Sequence, residues 1–179
     1  MRYSRLFKTK VNTKGKTTIT ENSVTRDHTE IMLKSFSADI EIKKNNIESQ
    51  IILSGKSELK SKNISVPSDL SSAAFFIVAA LINKQSNIKL KNININPTRD
   101  GILRALTIMG GNIKIFNKRT INEEIIADIE VKSSNLIGCE LDKNMAHLMI
   151  DEYPILSIAA SFAKTPSIFK GLKELRVKE

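Results

Sequence analysis

Sulfur and aromatic groups are scarce in this chain of 179 residues: it holds one cysteine, Cys139, no tryptophan, two tyrosines and seven phenylalanines. A lone cysteine excludes an internal disulfide framework and a cluster of thiolate metal ligands, and makes a reducing cytoplasm the default compartment. With aromatics at only 5%, the chain lacks the interleaving of rings and concentrated positive charge that marks a nucleic-acid reader. Long apolar runs are missing too. The longest, residues 73–82, suits a buried helix and falls well short of the ~18 residues that span a bilayer. The opening MRYSRLFK has no apolar stretch followed by small residues, so no secretory signal is read there.

What the chain does have is a globular balance, with 41% hydrophobic against 26% charged residues, which excludes wholesale disorder. Its length suits one ordinary domain or a pair of small ones. Lys and Arg total 28 against 19 Asp and Glu, a formal charge of +9. The lysines are scattered among Asp, Glu and Asn, and the abundance of Lys, Ile and Asn is what AT-rich codons favour. Attraction of small anionic substrates fits this surface as well as nucleic acid does. Charge alone does not choose between them.

Hydrophobic periodicity predicts strands over Lys16–Glu21, 39–42, 50–54, 87–95, 112–116 and 128–131. It predicts helices over residues 27–36 with Thr25 as N-cap, 71–82 capped from Val66-Pro-Ser-Asp, 99–109 stopped by Gly110-Gly111, and 151–163. A further strand opens at residues 167–170. The elements repeat. Placing Thr25-Arg26-Asp27 over Thr98-Arg99-Asp100, an offset of 73, puts Leu33 on Leu106, Phe36 on Met109, Ile40 on Ile113 and Ile42 on Ile115. A third copy enters at Ser167 and reaches Arg176, 77 residues beyond Arg99. The unit reads helix, strand, turn with arginine, helix, strand, strand. The first copy lacks its leading helix and the third stops after its arginine.

Four places carry candidate chemistry. Thr25-Arg26-Asp27-His28-Thr29-Glu30 lies at a strand-to-helix turn, where Arg26 beside free N–H groups is a candidate anion clamp. The plain alternative is a capping box with a surface arginine, and His28 alone reads as a capping or packing residue. In the segment from Val66 to Phe76, Asp69 or Ser71 caps a buried helix and no chemistry is read; it resembles a domain junction. Asn96-Pro97-Thr98-Arg99-Asp100-Gly101 repeats the first site and reads as a turn. The last is a pair: Asp151-Glu152-Tyr153-Pro154 opens an apolar helix, and Leu175-Arg176-Val177-Lys178-Glu179 is a charged turn. Dipole-friendly acids at a helix start and an ordinary solvated turn explain both. If the repeat brings Asp151 and Glu179 to one end, Arg176, at the repeat's anion-clamp position, becomes a phosphate clamp flanked by two carboxylates, suited to proton transfer on an anionic substrate.

These same strings resemble the enolpyruvyl transferases, in the family's order and from about Gly15 onward. Arg-Asp-His-Thr-Glu and Arg-Val-Lys-Glu look like the branch that acts on shikimate 3-phosphate, rather than the sister branch acting on UDP-N-acetylglucosamine. The resemblance implies a mixed α/β (α+β) fold of two halves, each built from three βαβαββ units. It implies transfer of the enolpyruvyl group from phosphoenolpyruvate to the 5-hydroxyl of shikimate 3-phosphate, with no metal or organic cofactor. Residue by residue it makes Asp151 and Glu179 catalytic, and assigns substrate contacts to Arg26, Lys178 and Asp151. Implied with it are a cytoplasmic, monomeric family, chorismate and aromatic amino acid biosynthesis, and no nucleic-acid or membrane partner. The alternatives are a fragment of the UDP-N-acetylglucosamine type and a non-catalytic anion- or nucleic-acid-binding module.

Against the family pattern, residues 1–11 form an unmatched segment, 12–64 the last part of a first domain, and 65–179 the first part of a second. Ser68 stands where glycine is usual, which alters the crossover turn. The family's N-terminal substrate site and its Asn-Ser-Gly-Thr and Ser-Ala-Gln segments are absent, and the string after Arg-Val-Lys-Glu would begin past Glu179. The expectation is therefore an internal fragment, inactive alone and open to pairing with a complementing segment.

Overall fold

In the computed structural model the described residues are 10–21, 25–44 and 49–177. The chain divides into two units, Met1–Ser65 with Ile121–Glu124, and Val66–Thr120 with Ile125–Glu179.

The first unit contains β1 (Lys16–Glu21), α1 (His28–Ser35), β2 (Ile40–Lys44) and β3 (Ser49–Ser54). Its sheet runs β1-β3-β2, antiparallel throughout. Alternation in β3 turns Ser49, Ile51 and Leu53 inward. The register then stacks Ile19 and Ile42 on either side of Ile51, and Ile40 beside Leu53. Leu33, Val11 and Ala38 complete this small core.

The second unit repeats that arrangement with a longer lead-in: α2 (Leu70–Ile82), β4 (Asn87–Asn94), α3 (Gly101–Ile108), β5 (Asn112–Ile121) and β6 (Glu124–Lys132), the hairpin end Ile121–Glu124 grouping with the first unit. Its sheet order, β4-β6-β5, matches β1-β3-β2 element for element. The helix ends match as well. Gly110 and Gly111 donate to the Thr107 and Leu106 carbonyls at 2.9 Å each. Ser37 and Ala38 donate to Lys34 and Leu33 at 3.0 Å each. Both are Schellman stops whose C′ residue takes positive φ, 83° at Gly110 and 66° at Ser37. The repeat offset of 73 thus relates two identical backbone devices, one with glycine and one without.

After β6 come β7 (Glu140–Leu141), a 3₁₀ turn over Lys143–Leu148, α4 (Tyr153–Ser161), β8 (Ile168–Phe169) and a final 3₁₀ turn over Glu174–Val177. β7 and β8 pair in parallel across α4. Likewise Ser68 bridges Ile93 of β4 in parallel across α2. Each is a strand–helix–strand crossover, so the repeat also has a short leading strand ahead of its first helix. α2 and α4 pack on one another, and α4 also contacts α3. Their buried faces, with β6, form one core that includes Ile77, Leu81, Ile102, Leu106, Ile129, Val131, Tyr153 and Leu156.

Three local expectations are corrected. Asp27, not Thr25, is the N-cap of α1; the Thr25 hydroxyl instead donates to Glu21 Oε1 at 2.8 Å. β5 and β6 extend well past residues 116 and 128 into a long hairpin. Asn122 and Glu123 turn it at φ 51° and 67°, the type I′ geometry whose twist suits paired strands. α4 begins at Tyr153 rather than Asp151, because Glu152 is its N-cap. Among the described residues no helix is long and apolar enough to cross a membrane.

Candidate active site

The residues singled out by sequence fall in different places. Arg26 lies half-buried between β1 and α1 in the first unit. Asp151 sits in the turn before α4 in the second, with its side chain exposed. Arg176 is exposed on the last 3₁₀ turn. Lys178 and Glu179 lie outside the described residues, so the expected approach of Asp151 and Glu179 is not described either. His28 reaches Glu124, with Nδ1 2.6 Å from Oε1, inside the first unit.

The structure shows a polar network that sequence reasoning missed. Glu152 is only 2% exposed. Its Oε1 accepts a short hydrogen bond from the Ser71 hydroxyl. That hydroxyl in turn accepts from Arg99 Nη2 at 2.5 Å. The same guanidinium nitrogen lies 3.8 Å from Glu152 Oε1 and 3.4 Å from Asp69 Oδ1. Each partner stands at a helix start. Asp69 caps α2, Ser71 is in its first turn, Arg99 precedes α3, and Glu152 caps α4. Three helix N-termini, each carrying partial positive charge, are therefore joined through one arginine, one hydroxyl and two carboxylates.

Local chemistry explains how these residues come to be there. The Asn96 carboxamide accepts from the Thr98 N–H at 2.8 Å and its hydroxyl at 2.7 Å. Arg99 N–H closes the turn onto the Asn96 carbonyl at 2.8 Å. This Asx turn sends Arg99 toward α2, so the expected turn-forming role holds for the backbone only. Asp69 accepts from Ser72 N–H at 2.8 Å, the expected cap. Ser71 does not cap; it bridges.

Burial alone pushes the Asp69 carboxyl up, but hydrogen bonds from Ser72 and the Arg99 charge outweigh it and hold the group below the ordinary carboxylate value. A carboxyl depressed in the folded state stabilises above its unfolded pKa of about 3.9 and loses that contribution as pH falls through the folded value. Asp69→Ala is accordingly expected to cost about 1 kcal/mol at pH 7. The gap from wild type should close below about pH 4. Urea melts of both proteins across pH 2.5–7 check it; a gap independent of pH would contradict the charged cap.

Away from this network, a pocket of about 540 Å³ runs along α3, walled by Ile95, Leu103, Ile108 and Ile125 with Asp100 and Arg104 at its edge. Burial pushes the Asp100 carboxyl up despite its ion pair with Arg104, 2.7 Å from Nε to Oδ1. Neither Asp151 nor the network lines this pocket. Among the described residues no group of three His, Cys, Asp or Glu is placed to hold a metal ion.

The fold is that of an enolpyruvyl transferase. The enolpyruvyl transferase NikO from Streptomyces tendae superposes with a TM-score of 0.62 over 89% of this chain at 16% identity, which speaks to fold alone. An EPSP synthase structure from Acinetobacter baumannii superposes far better, with a TM-score of 0.85 and 42% identity over 95% of this chain and 38% of that one. The family model described as EPSP synthase (3-phosphoshikimate 1-carboxyvinyltransferase) matches residues 4–179, and the chain belongs to that family. Proteins named 3-phosphoshikimate 1-carboxyvinyltransferase from Petrotoga mobilis and from Legionella pneumophila strain Corby are 50% and 45% identical over 93% and 92% of the chain. The chain spans only 38% and 37% of those two relatives.

Proposed function

We propose that this chain carries part of the active site that transfers the enolpyruvyl group of phosphoenolpyruvate to the 5-hydroxyl of shikimate 3-phosphate. Membership of the family over residues 4–179 is the observation that carries the reading. In the reaction the hydroxyl oxygen bonds to C2 of phosphoenolpyruvate while C3 takes a proton, giving a tetrahedral phospho-ketal. C3 then loses a proton, the C–O bond to phosphate breaks, and the enolpyruvyl ether and inorganic phosphate leave. Asp151 is the proposed acceptor of the hydroxyl proton. Glu179 serves the carbon centre, Lys178 contacts substrate and assists proton movement, and Arg26 holds the sugar phosphate.

Exposure of Asp151 at the start of α4 supports its role, because substrate must reach it. The helix start beside it favours anions. Residues 12–64 are read as the last part of one domain and 65–179 as the first part of a second, in a cytoplasmic enzyme of a monomeric family, open to pairing with a complementing segment. The chain alone is then expected to bind shikimate 3-phosphate without turnover. A thermal melt with millimolar shikimate 3-phosphate should move the transition upward, as ligand binding to the folded state requires. Addition of phosphoenolpyruvate should release no phosphate. An unshifted melt counts against the substrate assignment; phosphate release by this chain counts against its dependence on further segments.

A further inference from the structure

Asp151 and Glu152 are adjacent carboxylates with opposite fates: one is exposed and the other is 2% exposed. A glutamate at a helix start ordinarily remains in water, where the helix dipole is satisfied at little cost. Here Glu152 turns inward instead, and its charge is met by Arg99 and the Ser71 hydroxyl. We propose that Ser71, Arg99 and Glu152 are positioning residues that fix the direction of Asp151, an inference that rests on the proton-acceptor role given to Asp151 above.

The backbone makes the coupling direct. Glu152 N–H donates to the Met149 carbonyl at 3.0 Å, closing a turn around Asp151. The Glu152 carbonyl accepts the first helical bond of α4 from Leu156 N–H at 2.9 Å. Tyr153, 1% exposed, is held edge-on to Phe169 with ring centroids 5.8 Å apart. Once Glu152 and Tyr153 are anchored, the residue between Ile150 and Glu152 has little freedom left. The network also answers an electrostatic problem. A second carboxylate one residue from the acceptor would repel a phosphorylated substrate, and pairing Glu152 with Arg99 removes most of that field. Ser71 is the hinge of the arrangement, since its hydroxyl bonds both charged partners while Arg99 and Glu152 stand 3.8 Å apart.

The test compares Ser71→Ala with Ser71→Thr, which keeps the hydroxyl, in the full chain. Amide hydrogen exchange is read at Asp151, Glu152 and Tyr153 and, as a remote control, at Ile129 in β6. The carboxyl carbon resonance of Asp151 is followed through a pH titration and through a titration with shikimate 3-phosphate. Ser71→Ala should speed exchange at residues 151–153 at least tenfold and leave Ile129 unchanged. It should also displace the Asp151 titration midpoint and weaken shikimate 3-phosphate binding about tenfold, and Ser71→Thr should restore all three. Unchanged exchange and an unchanged Asp151 midpoint in Ser71→Ala overturn the proposal. So does a loss that is equal at Ile129, which marks a merely structural role. If wild type shows no binding while exchange and midpoint respond as expected, the positioning network stands and the substrate assignment falls.

Discussion

Arg99→Met is expected to destabilise the second unit by about 3 kcal/mol, the lower end of the range for breaking a buried ion pair. The variant keeps most of the aliphatic stem and removes the charge. Glu152, at 2% exposure, is then left with the Ser71 hydroxyl as its only named partner. Its Oε2 is buried and has no hydrogen-bond partner among the described residues even in the intact network. The charge must therefore be carried without compensation, or be neutralised by taking up a proton, and either outcome favours unfolding. Residual exposure of the arginine, 21%, keeps the estimate from the top of the range. Adding Glu152→Gln to Arg99→Met should recover more than half of the loss, because an amide needs no counter-charge. Urea denaturation of the two single variants and the double variant measures this as a cycle. Additive costs, or a loss under about 1 kcal/mol for Arg99→Met, would show an ion pair no stronger than a surface one.

That cycle concerns the part of the molecule least legible in the sequence. The repeat is legible because it rests on apolar spacing: Leu33 with Leu106 and Ile40 with Ile113 recur at one offset, and the two sheets show the same strand order. The stop after α3 can be read from Gly110-Gly111. Its counterpart after α1 cannot, since Ser37 takes the same left-handed conformation without the residue type that announces it. β7 is two residues long and exists because α4 returns the chain beside it, a pairing no local pattern encodes. The far ends of β5 and β6 escape notice because Asn117, Lys118 and Arg119 break the apolar alternation, although Asp128 organises them by accepting from Asn92 N–H at 2.9 Å and Asn117 Nδ2 at 3.1 Å. Glu152 is the plainest case. Charge predicts exposure, and only the meeting of three helix starts that are distant in sequence reverses it. Family resemblance singles out Asp151, but it gives no sign of the buried contacts among Ser71, Arg99 and Glu152 beside it.

Leu106→Ala is expected to cost 3–4 kcal/mol, whereas Leu33→Ala at the equivalent repeat position should cost about 2. The side chains are identical and each sits two turns into its helix, where its carbonyl accepts the closing bond of the Schellman stop. The surroundings differ. Leu106 is fully buried in the larger core, between elements of a helical layer and a sheet. Gly111 holds the following strand so close that a Cβ there would lie 2.7 Å from the Leu106 carbonyl oxygen and 3.2 Å from Leu81. Such a wall cannot collapse inward, so most of the deleted volume remains as cavity. Leu33 is 9% exposed, in a cluster of six buried apolar residues on a three-stranded sheet. Water already reaches one side of it, and a small core relaxes more readily. Urea unfolding followed at amides of β3 and of β6 separates the two effects. Equal costs would show that helix position within the repeat, rather than the depth of each core, sets the stability, and the lead-in helices α2 and α4 would then add nothing to the burial of α3.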